Sequence, residues 1–298
     1  MFFTQSHQTA HETLTVLGQL FYTRQCEHQL IKPRLFPLIV GPTGSGKSHL
    51  VERVASEIEA DYFKVTRGDW IPQGAKTARP TMYQIIDRAW SRERVLLHID
   101  ELDKFQIDFR AGDWGAGISS DLWNILDGKF SFAEYLRETD FGEQKPSLEV
   151  LMYRVRSSLW IVGSGTWQDL FRHIRLGATV GFLGSAVAAT VVAHDIIQAG
   201  VIPSELLHRF NNDLLFLKYP TTEETAKLLV STGLATMAKN QGVTLIPEMI
   251  DWNNGGIRAL ETVATRLSVE LYRKKKRKVK AQSDTPVKPI NKVIRVLS

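Results

Sequence analysis

Apolar and polar positions along this chain fall into two alternating rhythms. Phe36-Pro-Leu-Ile-Val40 is an apolar run of strand length, as are Arg94-Val-Leu-Leu-His-Ile99 and Ser158-Leu-Trp-Ile-Val162. Runs with so little polar alternation suit strands covered on both faces. Between Lys47 and Glu59 the period changes, and Leu50, Val51, Val54, Ala55 and Ile58 recur at helical spacing. Strands alternating with helices predict a mostly parallel sheet with helices on both faces, an α/β architecture. After Tyr219-Pro220 the periodicity is helical throughout. Thr221-Thr-Glu-Glu opens like a capped helix, expected to run to about Asn240, with another from Gly256 to Arg273. The expected organisation is therefore an α/β domain over 1–218, a small helical domain over 219–272, and a flexible tail over 273–298.

One stretch fits neither rhythm. Leu176 to Ala193 carries no charge for 18 residues, the lower limit for a membrane span, and includes the Gly177–Gly181 GxxxG pair. Arg172 and Arg175 precede it, His194-Asp195 follow it, and the chain has no second stretch of the kind. It reads as a buried or loop segment, and a membrane association is not expected.

Composition narrows the class. With 43% hydrophobic and 23% charged residues over 298 positions, the chain is neither disordered, collagen-like nor a coiled coil. A single cysteine, Cys26, excludes an intramolecular disulfide framework and a cysteine-clustered zinc site. Together with an opening Met1-Phe-Phe-Thr-Gln-Ser-His that lacks the pattern of a signal peptide, it makes the cytoplasm the expected compartment. The net charge of +5 is unevenly placed. Arg273 to Ser298 holds ten Lys/Arg and one acid, a charge of +9, which leaves −4 on the rest.

The chemistry sits after two of the predicted strands. Gly41-Pro-Thr-Gly-Ser-Gly-Lys47-Ser48 matches the phosphate-loop pattern GxxxxGK[ST] at every fixed position, between a predicted strand and a predicted helix. Its glycines let backbone N–H groups surround phosphates, Lys47 brings a cation to the β and γ phosphates, and Ser48 can ligand magnesium. Val95-Leu-Leu-His-Ile99 then leads into Asp100-Glu101, an acid pair at the end of an apolar strand. There Asp100 would hold the Mg²⁺ of Mg-ATP, and Glu101 would orient and polarise the attacking water.

These motifs resemble the AAA+ ATPases, and among them the ClpX-type unfoldase branch. That family reads GPTGSGK[ST] at residues 41–48 and IDEIDK where this chain has Ile99-Asp-Glu-Leu-Asp-Lys104. Further along, Ile118 to Gly128 resembles its VQQALLKLIEG helix, Leu159-Trp-Ile-Val-Gly163 its next strand, and Val180-Gly-Phe-Leu-Gly184 its GFGA stretch. Gly200-Val-Ile-Pro203 with Glu205-Leu-Leu-His-Arg209-Phe210 is similar to GLIPEFIGR with one residue inserted, and Gly256-Ile-Arg258-Ala-Leu260 to GARGL.

The resemblance implies a P-loop NTPase sheet followed by a helical AAA+ lid, and a nucleotide held by Gly41, Pro42, Thr43, Gly44, Ser45, Gly46, Lys47, Ser48, His49 and Arg258. It implies Arg209 as an arginine finger acting on a neighbouring subunit's ATP, with an ordinary surface arginine as the alternative. Arg258 would be the lid arginine called sensor 2, and Ser164 sensor 1, with Thr166 second. It further implies a homo-oligomeric ring, most often a hexamer, that acts as a chaperone on a protein substrate. The chain also departs from the branch. One cysteine is too few for the zinc-binding N-terminal domain, residues 1–35 hold no match to the adenine-contacting VIGQ segment, and there is no IGF-type loop. Gly68-Asp-Trp70-Ile71-Pro-Gln-Gly74 stands in place of the pore signature GYVG, making Trp70 either a substrate paddle or a packing residue.

Two other functions stay open. The run Arg273 to Lys280, seven cations in eight residues, suits sequence-blind contact with nucleic-acid phosphates or a solvated end. A nucleic-acid-associated AAA+ regulator is thus the first alternative, and a nucleotide-gated assembly scaffold the second.

Overall fold

The computed structural model describes residues 4–25, 30, 33–70, 80–106, 113–167, 202, 204–210, 214–250, 252 and 258–283. Of 106, 113–119, 275 and 277–283 it describes the backbone alone. The Leu176–Ala193 stretch and the GFGA-like segment lie outside these residues, as do most of the pore-like segment and the chain beyond Ser283. Among the described residues no helix is long and apolar enough to cross a membrane.

Among the described residues five strands make one sheet: β1 (Leu38–Val40), β2 (Asp61–Val65), β3 (Val95–Ile99), β4 (Leu159–Gly165) and β5 (Leu215–Phe216). They lie in the order β2-β3-β4-β1-β5, and every neighbouring pair is parallel. The expected parallel α/β sheet is therefore present. Its order has a consequence for chemistry. The chain leaves β1 for the far edge, returns through β3 and β4, and crosses to β5, so the direction of winding reverses beside β1. Ligands of open α/β sheets bind beyond the C-terminal strand ends at such a reversal.

Strand pleating sorts the side chains. On one face Ile39, Leu96, Trp160 and Val162 pack under α1 (Gln5–Thr23) and α2 (Lys47–Glu57), meeting Leu14, Leu50, Val51 and Val54. On the other face Leu38, Val40, Val95, Leu97, Ile99 and Ile161 are covered by α4 (Thr81–Ser91), α5 (Asp113–Leu126), α6 (Phe132–Glu138) and α7 (Leu148–Ser158). Trp160 is completely buried, and its indole N–H donates to the Leu35 carbonyl at 2.8 Å. Gly163 of β4 is obligatory because an added Cβ would stand 2.6 Å from the Phe210 ring.

Trp70 closes the short helix α3 (Arg67–Trp70). It is 8% exposed and packs edge-on against Phe105, with 5.3 Å between centroids. It is thus a packing residue here, not an exposed paddle. The last short helix of this unit is α8 (Ser204–Leu207).

The residues through Pro220 form one compact unit and those from Thr221 a second. The second unit opens with α9 (Thr222–Ser231), which carries a complete capping box: Thr221 accepts from the Glu224 N–H and Glu224 reaches back to the Thr221 N–H. The expected single helix to Asn240 is broken at Gly233, whose φ of 75° starts α10 (Leu234–Lys239). Its core is Leu229, Leu234, Ala238, Ile250, Leu260 and Leu267. The last described helix, α11 (Arg258–Ser283), does not stop at Arg273 but carries the basic run within it. Lys and Arg are good helix formers, and the Glu270–Arg273 pair supports that turn. The basic segment up to Ser283 is therefore helical.

Candidate nucleotide site

The loop after β1 turns at Gly44 and Gly46, whose φ values of 73° and 86° belong to the left-handed region that glycine enters without strain. Gly46 directly precedes α2, and no side chain caps that helix start. An uncapped N-terminus of an 11-residue helix offers backbone N–H groups and partial positive charge to an anion. Ser45 adds a second observation. Its hydroxyl is buried at 4% exposure and has no hydrogen-bond partner among the described residues. A phosphate oxygen at the loop would supply one.

Lys47 is buried and folds back on its own loop, donating to the Gly41 carbonyl at 2.8 Å and the Pro42 carbonyl at 3.0 Å. Burial pulls its ammonium down to about 8, opposed by the carboxylates of Asp100, Asp103 and Glu101. Thr43 and His49 are exposed on the rim, while Gly41 is buried. The Thr43 carbonyl accepts from the Tyr219 hydroxyl at 3.2 Å.

β4 lies between β1 and β3, and this places three predicted residues together. Ser48 Oγ donates to Asp100 Oδ2 at 2.8 Å, and Ser164 Oγ donates to Asp100 Oδ1 at 2.5 Å. Burial alone would raise the Asp100 pKa, but the electrostatic pull of nearby His98 and hydrogen bonds from Lys64, Ser164 and Ser48 outweigh it. They hold the carboxyl well below the usual range. A hydroxyl and a carboxylate side by side are the oxygen donors a magnesium ion takes from protein, with phosphates and water completing the shell. Lys64 Nζ lies 2.6 Å from the same Oδ2, so the chain itself sets positive charge against that oxygen. The donor set fits Mg²⁺.

Glu101 stands next to Asp100 with φ 59°, a strained conformation for a residue with a side chain. It is half exposed and paired with Lys104 at 2.6 Å. Thr166, the second sensor candidate, is half-buried and held through its N–H by Asp103 Oδ1 at 3.0 Å.

Arg209 is not among these residues. Within its own chain it makes a two-pronged contact with Asp127 (2.8 and 3.2 Å) and lies 4.8 Å over the Trp123 ring. The hydrogen bond from Arg209 keeps the Asp127 carboxyl below its ordinary pKa. Arg258 belongs to the second unit, exposed at the start of α11.

Four contributors were missed by sequence reasoning. His7 of α1, buried, bonds through Nε2 to the Ser45 carbonyl at 2.6 Å and so braces the loop from 38 positions away. Tyr62, Lys64 and His98 surround Asp100 from β2 and β3. The one signal available was His98, a polar residue inside an otherwise apolar strand run.

Comparison with known proteins agrees with this geometry. Residues 37–136 match the ATPase family associated with various cellular activities (AAA). Vacuolar protein sorting-associated protein 4 of Dictyostelium discoideum is 31% identical over 72 residues, 24% of this chain and 16% of that protein. The ATP-dependent Clp protease ATP-binding subunit ClpX of Borrelia duttonii is 23% identical over 188 residues, 56% of this chain and 43% of that one. The chain thus spans less than half the length of either relative. A crystal structure of the FIGL-1 AAA domain in complex with ADP superposes with a TM-score of 0.47 at 13% identity, covering 78% of this chain and 58% of that one. The segment 37–136 thus resembles an AAA-type ATPase domain, and its loop 41–48 sits on a five-stranded parallel sheet.

Proposed function

We propose that this chain binds Mg-ATP at the loop 41–48 and hydrolyses it. The observation that carries the reading is the meeting of Ser48, Asp100 and Lys47 where the sheet reverses its winding, beside an uncapped helix start. Magnesium bound between Ser48 and Asp100 would neutralise charge on the β and γ phosphates. Lys47 exchanges its loop carbonyls for phosphate oxygens, and Glu101 takes a proton from the attacking water.

In this reading the work of hydrolysis is done in a homo-oligomeric ring, most often a hexamer, that remodels or threads a protein substrate in the cytoplasm. The ClpX resemblance supports it, with 219–272 as lid and Arg258 as sensor 2. Arg209 is then the finger acting in trans, and it must leave Asp127 to do so. One observation favours the nucleic-acid alternative. The run from Arg273 to Lys280 lies within one continuous helix.

The test is phosphate release from Mg-ATP by the full chain, alone, with a permanently unfolded protein, and with duplex DNA. Stimulation by unfolded protein supports remodelling, and stimulation by DNA alone supports the alternative. No release under any condition overturns the enzymatic reading.

A further inference from the structure

The face of the sheet beneath α1 and α2 is apolar except near its C-terminal edge. There the register pairs Lys64 with His98 and His98 with Val162, and Asp100 and Ser164 follow two residues on. Because side chains alternate along a strand, Tyr62, Lys64, His98, Asp100 and Ser164 all project from this one face. His98 is wholly buried. An imidazole placed there is costly unless both ring nitrogens are satisfied. Both are: Nδ1 lies 2.8 Å from the Tyr62 hydroxyl and Nε2 lies 2.8 Å from Ser164 Oγ.

Proton accounting gives these bonds a direction. Asp100 is an acceptor only, so the single Ser164 hydroxyl proton goes to Oδ1. Ser164 Oγ must then accept from His98, which puts the imidazole proton on Nε2. A neutral imidazole protonated at Nε2 has a bare Nδ1, which accepts the Tyr62 O–H. The chain therefore runs one way, from Tyr62 through His98 and Ser164 to Asp100.

Its endpoint matters for the carboxylate. Oδ1 accepts from Ser164 and from the Glu101 N–H at 2.9 Å, while Oδ2 faces Ser48 and Lys64. The terminal torsion of an aspartate is otherwise broad and roughly two-fold. We propose that Tyr62, His98 and Ser164 form a directional hydrogen-bond chain that locks the Asp100 carboxylate with Oδ2 aimed at the cation position beside Ser48. Tyr62 and His98 are positioning residues, and Ser164 acts on the nucleotide through Asp100, its own proton being committed. The inference rests on reading Ser48 and Asp100 as the magnesium site.

The experiment follows binding of a fluorescent ATP analogue to the full chain, first in EDTA and then across a Mg²⁺ titration. His98→Leu removes both bonds with little change in volume. Its analogue affinity in EDTA should stay within twofold of the parent, because the loop is untouched. The Mg²⁺ concentration for half-effect should rise by about 10–100-fold, the usual cost of losing an outer-shell partner. His98→Gln, which offers a donor and an acceptor, should recover most of that loss. Tyr62→Phe keeps its ring and should move the midpoint the same way by about fivefold, one hydrogen bond's worth. It decides the matter should His98→Leu not fold. An unmoved midpoint in Tyr62→Phe and in any folded His98→Leu overturns the proposal, as does an equal loss of affinity in EDTA. Asp100→Asn separates the two levels: if it too leaves the midpoint unmoved, the magnesium-site reading itself is wrong.

Discussion

Lys47 gives the account a pH-dependent signature. Lys47 is 8% exposed with its ammonium against two loop carbonyls, and burial lowers its pKa from 10.5 to about 8. The amine is thus mostly charged at pH 7 and mostly neutral at pH 9. Bound phosphates, fully ionised above about pH 7, demand the charged form. Above pH 8 binding must therefore take up a proton, at about 1.4 kcal/mol per pH unit. Evaluated between pH 7 and pH 9, nucleotide affinity should fall about tenfold. Stability of the nucleotide-free protein moves the other way. Between the folded pKa near 8 and the unfolded 10.5, the unfolded chain binds the extra proton. Stability then rises with pH in that window, by an upper limit of about 3 kcal/mol. The assay is equilibrium binding of a fluorescent ATP analogue from pH 6.5 to 9.5 at fixed ionic strength, with Lys47→Met as the variant that should show no such fall. Less than a twofold change in the parent between pH 7 and 9 would refute the reasoning.

Three further outcomes follow from the site. Glu101→Gln should keep Mg-ATP binding within about twofold while phosphate release falls by about 10²–10⁴-fold, measured by equilibrium binding and a phosphate assay. Arg209→Ala should retain binding and lose turnover by about 10³-fold or more, and mixing it with Lys47→Ala chains should restore part of it. A mixture as inactive as each parent removes Arg209 from the role of trans finger. If the Arg273–Lys280 cations all meet phosphates, DNA affinity should fall with salt at a log–log slope of about −6, and replacing the seven by Gln should flatten it.

What could be read from the sequence was local. The loop 41–48 and the acid pair Asp100-Glu101 depend on fixed spacing within a few residues, so their chemistry is visible before any fold is known. The parallel sheet followed from apolar runs at β1, β3 and β4, but β2 escaped because its half-buried residues and the exposed Lys64 dilute the pattern. The surroundings of Asp100 depend on strand order. Tyr62 and His98 are 36 positions apart, and His98 and Ser164 are 66 apart. They meet only because β3 lies between β2 and β4. The Arg209–Asp127 pair, separated by 82 positions, was equally invisible. The helical state of the basic run was also not legible. Its charge density suggested a solvated tail, whereas the helix propensity of Lys and Arg carries α11 through it.

The central claim is that the Ser48–Asp100–Glu101 cluster turns over ATP. The most direct test is steady-state phosphate release by the purified full chain and by Glu101→Gln, at saturating ATP, with Mg²⁺ and with EDTA. The account predicts turnover by the parent that needs Mg²⁺, and its loss in Glu101→Gln while ATP binding persists. Equal phosphate release by Glu101→Gln and the parent would contradict it.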